Sequence, residues 1–112
     1  MLSFLESFLK RFSSDEPKVR AHLIVRGHVF DGSYHVFAEQ QARNYGLRGW
    51  MKVRDNLSPN AFLELEVEGS DEKMKNFIMD LRQGNKDSSV SLVTVEWKPA
   101  GNPPFSGFRR LL

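Results

Sequence analysis

The sequence contains no cysteine, only five prolines and no apolar run long enough to cross a membrane. Without cysteine the chain can form no disulfide, no thiolate metal site and no cysteine nucleophile. Its 16 basic and 14 acidic residues leave a net charge of +2, which is too small to indicate a nucleic-acid partner by itself. The N-terminus also lacks the basic region of a secretory signal, so we expect a cytoplasmic protein.

What the sequence does contain is the composition of one ordinary globular domain. Its 112 residues are 40% hydrophobic and 27% charged, which suits a single sizeable core. A breaker segment at 13–17 divides the chain in two. We therefore predict an amphipathic helix with its linker over 1–17 and a folded domain over 18–112.

The first segment has an apolar face that needs a cover. Leu2, Leu5, Leu9 and Phe12 recur at spacings of three and four, which predicts a helix over 2–12. A helix this short is marginal alone in water. We expect the face to pack on the domain's sheet or to bind a second copy or another protein. A membrane surface fits less well, because the polar side is not strongly basic.

The rest of the chain alternates between strand and helix patterns. Turn and cap signals separate predicted strands at 19–30, 47–54, 62–69 and 90–97, a short final strand within 105–112, and helices at about 33–45 and 70–83. The order β-α-β-β-α-β predicts a ferredoxin-like α+β sandwich: an antiparallel sheet with two helices on one face. In the strand at 62–69, Glu64, Glu66 and Glu68 alternate with apolar residues, so we expect one water-facing side.

Three separated segments of this chain form a recognisable pattern. The segment 27–35 reads GHVFDGSYH and the segment 46–50 reads GLRGW, while Phe77, Leu81, Gly84 and Val90 mark the second helix and the next strand. Together these segments resemble the acylphosphatase family. The family motifs are roughly G-x-V-Q-G-V-x-F-R and L-G-L-x-G-W-V-x-N. The spacing between them is matched without a gap from His35 to Gly46. The resemblance covers about residues 18–111.

The resemblance implies a metal-free and cofactor-free hydrolysis of acyl phosphates to carboxylate and phosphate. In the family, a loop of backbone N–H groups and an arginine bind the phosphate, and an asparagine orients the attacking water. The arginine position falls on His35 and the asparagine position on Val53. The implied anion-binding loop consists of Phe30, Asp31, Gly32, Ser33 and Tyr34.

Each departure from the family pattern weakens the chemistry. Histidine offers fewer donors than arginine and is mostly neutral at pH 7, and valine cannot orient water. The Asp31 carboxylate would repel a phosphate in the same loop. We therefore expect an impaired or inactive acylphosphatase-like domain with residual anion binding or an interaction role. The alternative is an active acylphosphatase with a rearranged site.

Four neighbouring residues could take part in such a rearrangement. Strand alternation predicts that Asn56 and Arg54 face away from Val53. Arg26 and Arg48 flank the region, but the sequence does not fix their geometry.

Other functional patterns are weaker. His22, His28 and His35 lack the spacing of a zinc site, so we expect hydrogen-bonded or exposed histidines and no metal. Ser33 is interpreted as a helix N-cap rather than as a nucleophile paired with His35. RNA-recognition domains share the β-α-β-β-α-β order, but a stripe of glutamates would repel phosphates, so we expect no nucleic-acid partner.

Overall fold

The computed structural model describes residues 18–30, 32–56, 58–101 and 105–111. Within these ranges the chain forms five strands and two helices. In chain order they are β1 (Lys18–His28), α1 (Tyr34–Asn44), β2 (Arg48–Arg54), β3 (Phe62–Ser70), α2 (Asp71–Gln83), β4 (Ser89–Pro99) and β5 (Phe108–Arg110). Asp31 and the predicted leading helix, with Leu2, Leu5, Leu9 and Phe12, lie outside the described residues.

The strands form one sheet in the order β4-β1-β3-β2-β5. The ferredoxin-like α+β prediction is confirmed, and β1 to β4 pair in antiparallel fashion. The short final strand, β5, pairs in parallel with β2, so the five-stranded sheet is mixed at this edge. β2 and β4 run in opposite directions. Because the chain reverses after β4 before it forms β5 at the far edge of the sheet, β5 runs in the same direction as β2.

Both helices pack on the same face of the sheet, as predicted. Alternation places every second residue of β1 and β3 towards the helices, and the helix residues that meet them recur at spacings of three and four. Burial of each large apolar side chain stabilises the fold by roughly 1.5–3 kcal/mol at most. The central residues of this core are Ala21, Leu23, Val25, Tyr34, Ala38, Ala42, Leu63, Leu65, Val67, Met74, Phe77, Ile78 and Leu81.

The ends of α2 follow the predicted signals. The Ser70 hydroxyl accepts a hydrogen bond of 3.3 Å from the backbone N–H of Lys73 and so caps the helix. Gly84, with φ of +69°, ends it, and its N–H donates to the Asp80 carbonyl. Neither helix in the described ranges combines the length and the apolar character that a membrane crossing needs.

The sheet face opposite the helices, which we call the outer face, is not the wet surface that the glutamates predicted. Glu66 is 9% exposed and Glu68 is 4% exposed. Each carboxylate on β3 has a cationic neighbour from another strand of the sheet: Lys98 of β4 lies 3.2 Å from Glu66, and Arg20 of β1 lies 3.4 Å from Glu68. These pairings allow carboxylates to be buried where unpaired ones would be too costly.

Glu64, the third carboxylate of the outer face, accepts two hydrogen bonds. His22 Nε2 donates to it at 2.7 Å and Arg54 Nε at 2.6 Å. The bond from His22, with further contributions from Arg54, lowers the pKa of the Glu64 carboxyl. The ionised carboxylate therefore stabilises the fold at neutral pH, and this contribution is lost as the pH falls through the lowered pKa.

Candidate active site

The loop between β1 and α1 begins in the core and ends at the surface. Val29 is buried, whereas the Phe30 side chain is 38% exposed. Gly32 and Ser33 then lead into α1, which begins at Tyr34. The loop therefore occupies the position between first strand and first helix that the acylphosphatase resemblance predicted.

Ser33 holds the N-cap position of α1, but its hydroxyl does not cap the helix. The hydroxyl instead donates to Asp87 Oδ2 at 3.5 Å and accepts from Asn85 Nδ2 at 3.0 Å. A β-carbon on Gly32 would lie 3.2 Å from Cβ of Asp87. The loop after α2 thus brings a carboxylate against the predicted anion-binding loop, where it opposes a bound phosphate. Sequence reasoning missed Asp87 because the two loops are far apart in the chain.

Tyr34 belongs to the core rather than to the loop surface. Its side chain is 1% exposed, and its hydroxyl donates to the Leu81 carbonyl at 2.8 Å. Burial raises the pKa of this phenol far above its usual range. The side chain therefore joins α1 to α2, and only the backbone of Tyr34 is available to an anion in the loop.

His35 and Val53 line one cavity of about 540 Å³, which we call the His35 cavity. His35 is the second residue of α1, and Val53 lies near the end of β2. The structure thus brings together the two positions that the resemblance matched to arginine and asparagine. The complete lining is Val29, Phe30, His35, Met51, Lys52, Val53, Asn56, Leu63, Arg110 and Leu111.

Asn56 also lines the His35 cavity, so the prediction that it faces away from Val53 is wrong. That prediction assumed an extended strand through residue 56. β2 instead ends at Arg54, and Asp55 adopts a positive φ of 53°. The chain therefore turns at this point, and strand alternation no longer decides where Asn56 lies.

Arg110 is the cavity residue that sequence reasoning missed. It pairs with Met51 across the parallel β5–β2 contact, and the Leu111 N–H donates to the Met51 carbonyl at 2.8 Å. Phe108, two residues earlier, is 7% exposed and belongs to the core. Alternation along 108–110 could have placed Arg110 on the core side, but no local signal shows that β5 lies beside β2.

The three other arginines considered as replacements have partners outside the His35 cavity. Arg54 pairs with Glu64 on the outer face, as alternation predicted. The guanidinium of Arg26 stacks over the Phe62 ring at 4.6 Å. Arg48 donates to the Phe105 carbonyl at 3.5 Å. None of these three lines the cavity in the part of the chain that the structure describes.

The histidines do not form a metal centre within the described ranges. No group of three or more His, Asp or Glu side chains there could hold a metal ion. His22 is hydrogen-bonded to Glu64, and His35 lines the cavity.

Comparison with known proteins agrees with the fold. The acylphosphatase family model matches residues 21–110. The acylphosphatase of Moorella thermoacetica is 34% identical over 88 residues, covering 78% of this chain and 90% of that protein. That of Bacillus velezensis is 32% identical over 75 residues, covering 67% of this chain and 79% of that protein.

Solved structures show the same fold. The acylphosphatase from Bacillus subtilis superimposes with a TM-score of 0.75 at 22% identity, covering 84% of this chain and 99% of that one. An acylphosphatase from Coxiella burnetii gives a TM-score of 0.74 at 24% identity, covering 88% and 100%. The family match over residues 21–110 and the 34% identical relative from Moorella thermoacetica show that the chain belongs to the acylphosphatase family.

Proposed function

We propose that this acylphosphatase-like domain binds small anions at the His35 cavity but hydrolyses acyl phosphates slowly or not at all. The single observation that carries the proposal is that His35 and Val53 line the same cavity. This shared cavity supports the proposal that the two substituted positions belong to one site.

The reaction shows why these two substitutions matter. Water attacks phosphorus, the bond from phosphorus to the acyl oxygen breaks, and the carboxylate leaves while negative charge is stabilised by positioned donors. His35 offers fewer donors than arginine and lacks its permanent charge, and Val53 has no group that can hold the water. The Asp87 carboxylate beside Ser33 further opposes the phosphate. Each of these features raises the activation free energy of acyl phosphate hydrolysis.

The purified chain is expected to turn over acetyl phosphate about 10³-fold or more slowly than a relative with the intact arginine and asparagine. Removal of one stabilising donor commonly costs about 10²–10³ in rate, and a transition-state arginine is worth roughly 10³–10⁵. The measurement is the release of phosphate above spontaneous hydrolysis, with an acylphosphatase that carries both residues assayed in parallel. Robust turnover that His35→Ala abolishes would overturn the proposal.

A second candidate function is an active acylphosphatase with a rearranged site. The specific observation in its favour is that Asn56 and Arg110 line the His35 cavity and could supply the missing amide and charge. The same assay separates the two functions. Robust turnover that falls in Asn56→Ala and Arg110→Ala, but persists in His35→Ala, would establish the rearranged site.

We also propose that residues 1–17 form an amphipathic helix and linker whose apolar residues bind the domain, a second copy or another protein. Those residues are Leu2, Leu5, Leu9 and Phe12. The described sheet offers an apolar contact on its outer face at Leu92, which is 55% exposed on the edge strand β4. Burial of large apolar side chains is worth roughly 1.5–3 kcal/mol each, so a covered face is strongly favoured over a free one.

Deletion of residues 1–13 is expected to lower the melting temperature by several degrees or to reduce the mass of the particle in solution. Light scattering and thermal unfolding measure the two effects. The change of the four apolar residues to serine should act as the deletion does, whereas Lys10→Ser on the polar side should not. If the deleted and full chains agree in both melting and mass, the segment does not pack on the domain or on a second copy.

Nucleic acid is not among the proposed partners. The centre of the outer face carries Glu64, Glu66 and Glu68, and the cations beside them are held in ion pairs. Those cations are therefore not free to neutralise phosphates.

A cytoplasmic location remains our proposal, since a chain without cysteine needs no oxidising compartment.

A further inference from the structure

The His35 cavity is mainly apolar. Six of its residues are hydrophobic: Val29, Phe30, Met51, Val53, Leu63 and Leu111. Its volume of about 540 Å³ lies in the range of sites that enclose a small organic ligand. Inorganic phosphate would leave this apolar wall in contact with water, so the lining favours a ligand with a hydrocarbon part.

The polar residues of the cavity favour a negatively charged head on that ligand. His35, Asn56 and Arg110 are donors, Lys52 also lines the cavity, and no carboxylate is among the lining residues in the described ranges. Lys52 of β2 pairs with Glu64 of β3, and the side chains of such a pair lie on the same side of the sheet. The Lys52 side chain is therefore directed to the outer face. Arg110 is therefore the fixed positive charge on the cavity side.

Arg110 is also available to a ligand. Among the described residues it forms no ion pair, whereas Arg20 and Arg54 each pair with a glutamate of β3. Its position is set by the pairing with Met51, whose side chain belongs to the core. By contrast, Asp87, in the loop after α2, lies against Gly32 and Ser33, which belong to the loop 30–35. The charge distribution therefore directs an anionic head towards Arg110 rather than into the loop 30–35.

We propose, resting on the function proposed above, that the His35 cavity binds an organic anion with an apolar chain, its charged head held by Arg110 and its chain by the hydrophobic wall. A carboxylate and a phosphate monoester present the same kind of head to a guanidinium. The hydrocarbon chain of the ligand supplies the selectivity, because each buried methylene group strengthens binding by about fourfold.

The test is a titration of the full chain with octanoate, acetate, octyl phosphate and inorganic phosphate, followed by backbone amide shifts in NMR. We expect octanoate to bind at least about tenfold more tightly than acetate, and octyl phosphate at least about tenfold more tightly than phosphate. The amides of 29–30, 51–53 and 111 should respond. The stronger of the two chain-bearing ligands identifies the natural head group.

Arg110→Gln should weaken octanoate binding by about tenfold, the effect of losing one charge-assisted contact. The matched control is Arg109→Gln, which removes the same charge from the adjacent, exposed position on the other face of β5. It should change the affinity less than about twofold. Equal binding of octanoate and acetate, shifts away from the cavity, or equal effects of the two arginine variants would each overturn the inference. These outcomes are independent of the acetyl phosphate turnover, which tests the proposed function alone.

Discussion

Gly49→Ala is expected to destabilise the fold severely. A β-carbon at this position would lie 1.9 Å from the Glu66 carbonyl oxygen and 3.0 Å from Cα of Val67, and both atoms belong to the backbone of the paired strand. The φ of Gly49 is also +146°, a backbone conformation that residues with a side chain rarely adopt. Separation of β2 from β3 would be needed to relieve the contact. We expect a loss of about 3–5 kcal/mol, a large part of the stability of an ordinary domain.

Gly107→Ala is the matched control for this substitution. A β-carbon on Gly107 would meet no atom within 4 Å, although its carbonyl accepts the hydrogen bond from the Gly49 N–H. Urea unfolding should therefore give a free energy close to that of the native chain. If Gly49→Ala unfolds at the same urea concentration as Gly107→Ala, the close pairing of β2 with β3 is not as described.

Glu68→Ala is expected to destabilise the fold by about 2–4 kcal/mol. The buried Glu68 carboxylate accepts hydrogen bonds from the backbone N–H groups of Gly101 at 2.7 Å and Phe105 at 3.2 Å, and it pairs with Arg20. Its loss would leave Arg20 without a counter-charge and would release the segment between β4 and β5. For a domain of this size the change corresponds to a melting temperature roughly 10–25 °C lower.

Hydrogen exchange separates this specific role of Glu68 from a general loss of stability. The Leu111 amide, which bonds to Met51 across the β5–β2 pair, should exchange faster in Glu68→Ala than the global loss explains. Glu96→Ala, which removes an exposed glutamate from the outer face of β4, should change the melting temperature by less than about 3 °C. Equal effects of the two substitutions would show that Glu68 does not hold the segment.

Local patterns in the sequence predicted the elements and their buried sides. Met74, Phe77, Ile78 and Leu81 recur at helical spacing, and all four are buried in α2. These predictions succeed because helical spacing and strand alternation are properties of neighbouring residues. The same reasoning placed Leu63, Leu65 and Val67 in the core.

Several features that the sequence did not predict depend on contacts between distant segments. Glu66 and Glu68 are buried because cations from β1 and β4 lie beside them, and alternation alone cannot show such a cover. Arg110 reaches the cavity only because β5 joins the far edge of the sheet. Asp87 reaches the loop before α1 only because the loop after α2 folds against it. The predicted positions of His35 and Val53 come from the family resemblance, not from the pattern of the chain.

The central claim is that the loop 30–35 and β2 form a phosphate site that has lost its arginine and its asparagine. Its most direct test compares phosphate binding by the native chain with binding by the triple variant His35→Arg, Val53→Asn, Asp31→Gly. The control carries Val36→Arg in place of His35→Arg, because the exposed Val36 adds the same charge one residue away and does not line the cavity.

The measurement is the dissociation constant of inorganic phosphate, obtained from the backbone amide shifts of residues 31–35. We predict a constant at least about tenfold lower in the triple variant than in the native chain, since arginine supplies a permanent charge and a two-pronged donor. The Val36→Arg control should stay near the native value. If these amides respond no more in the triple variant than in the native chain, or equally in the control, the loop is not a degraded phosphate site.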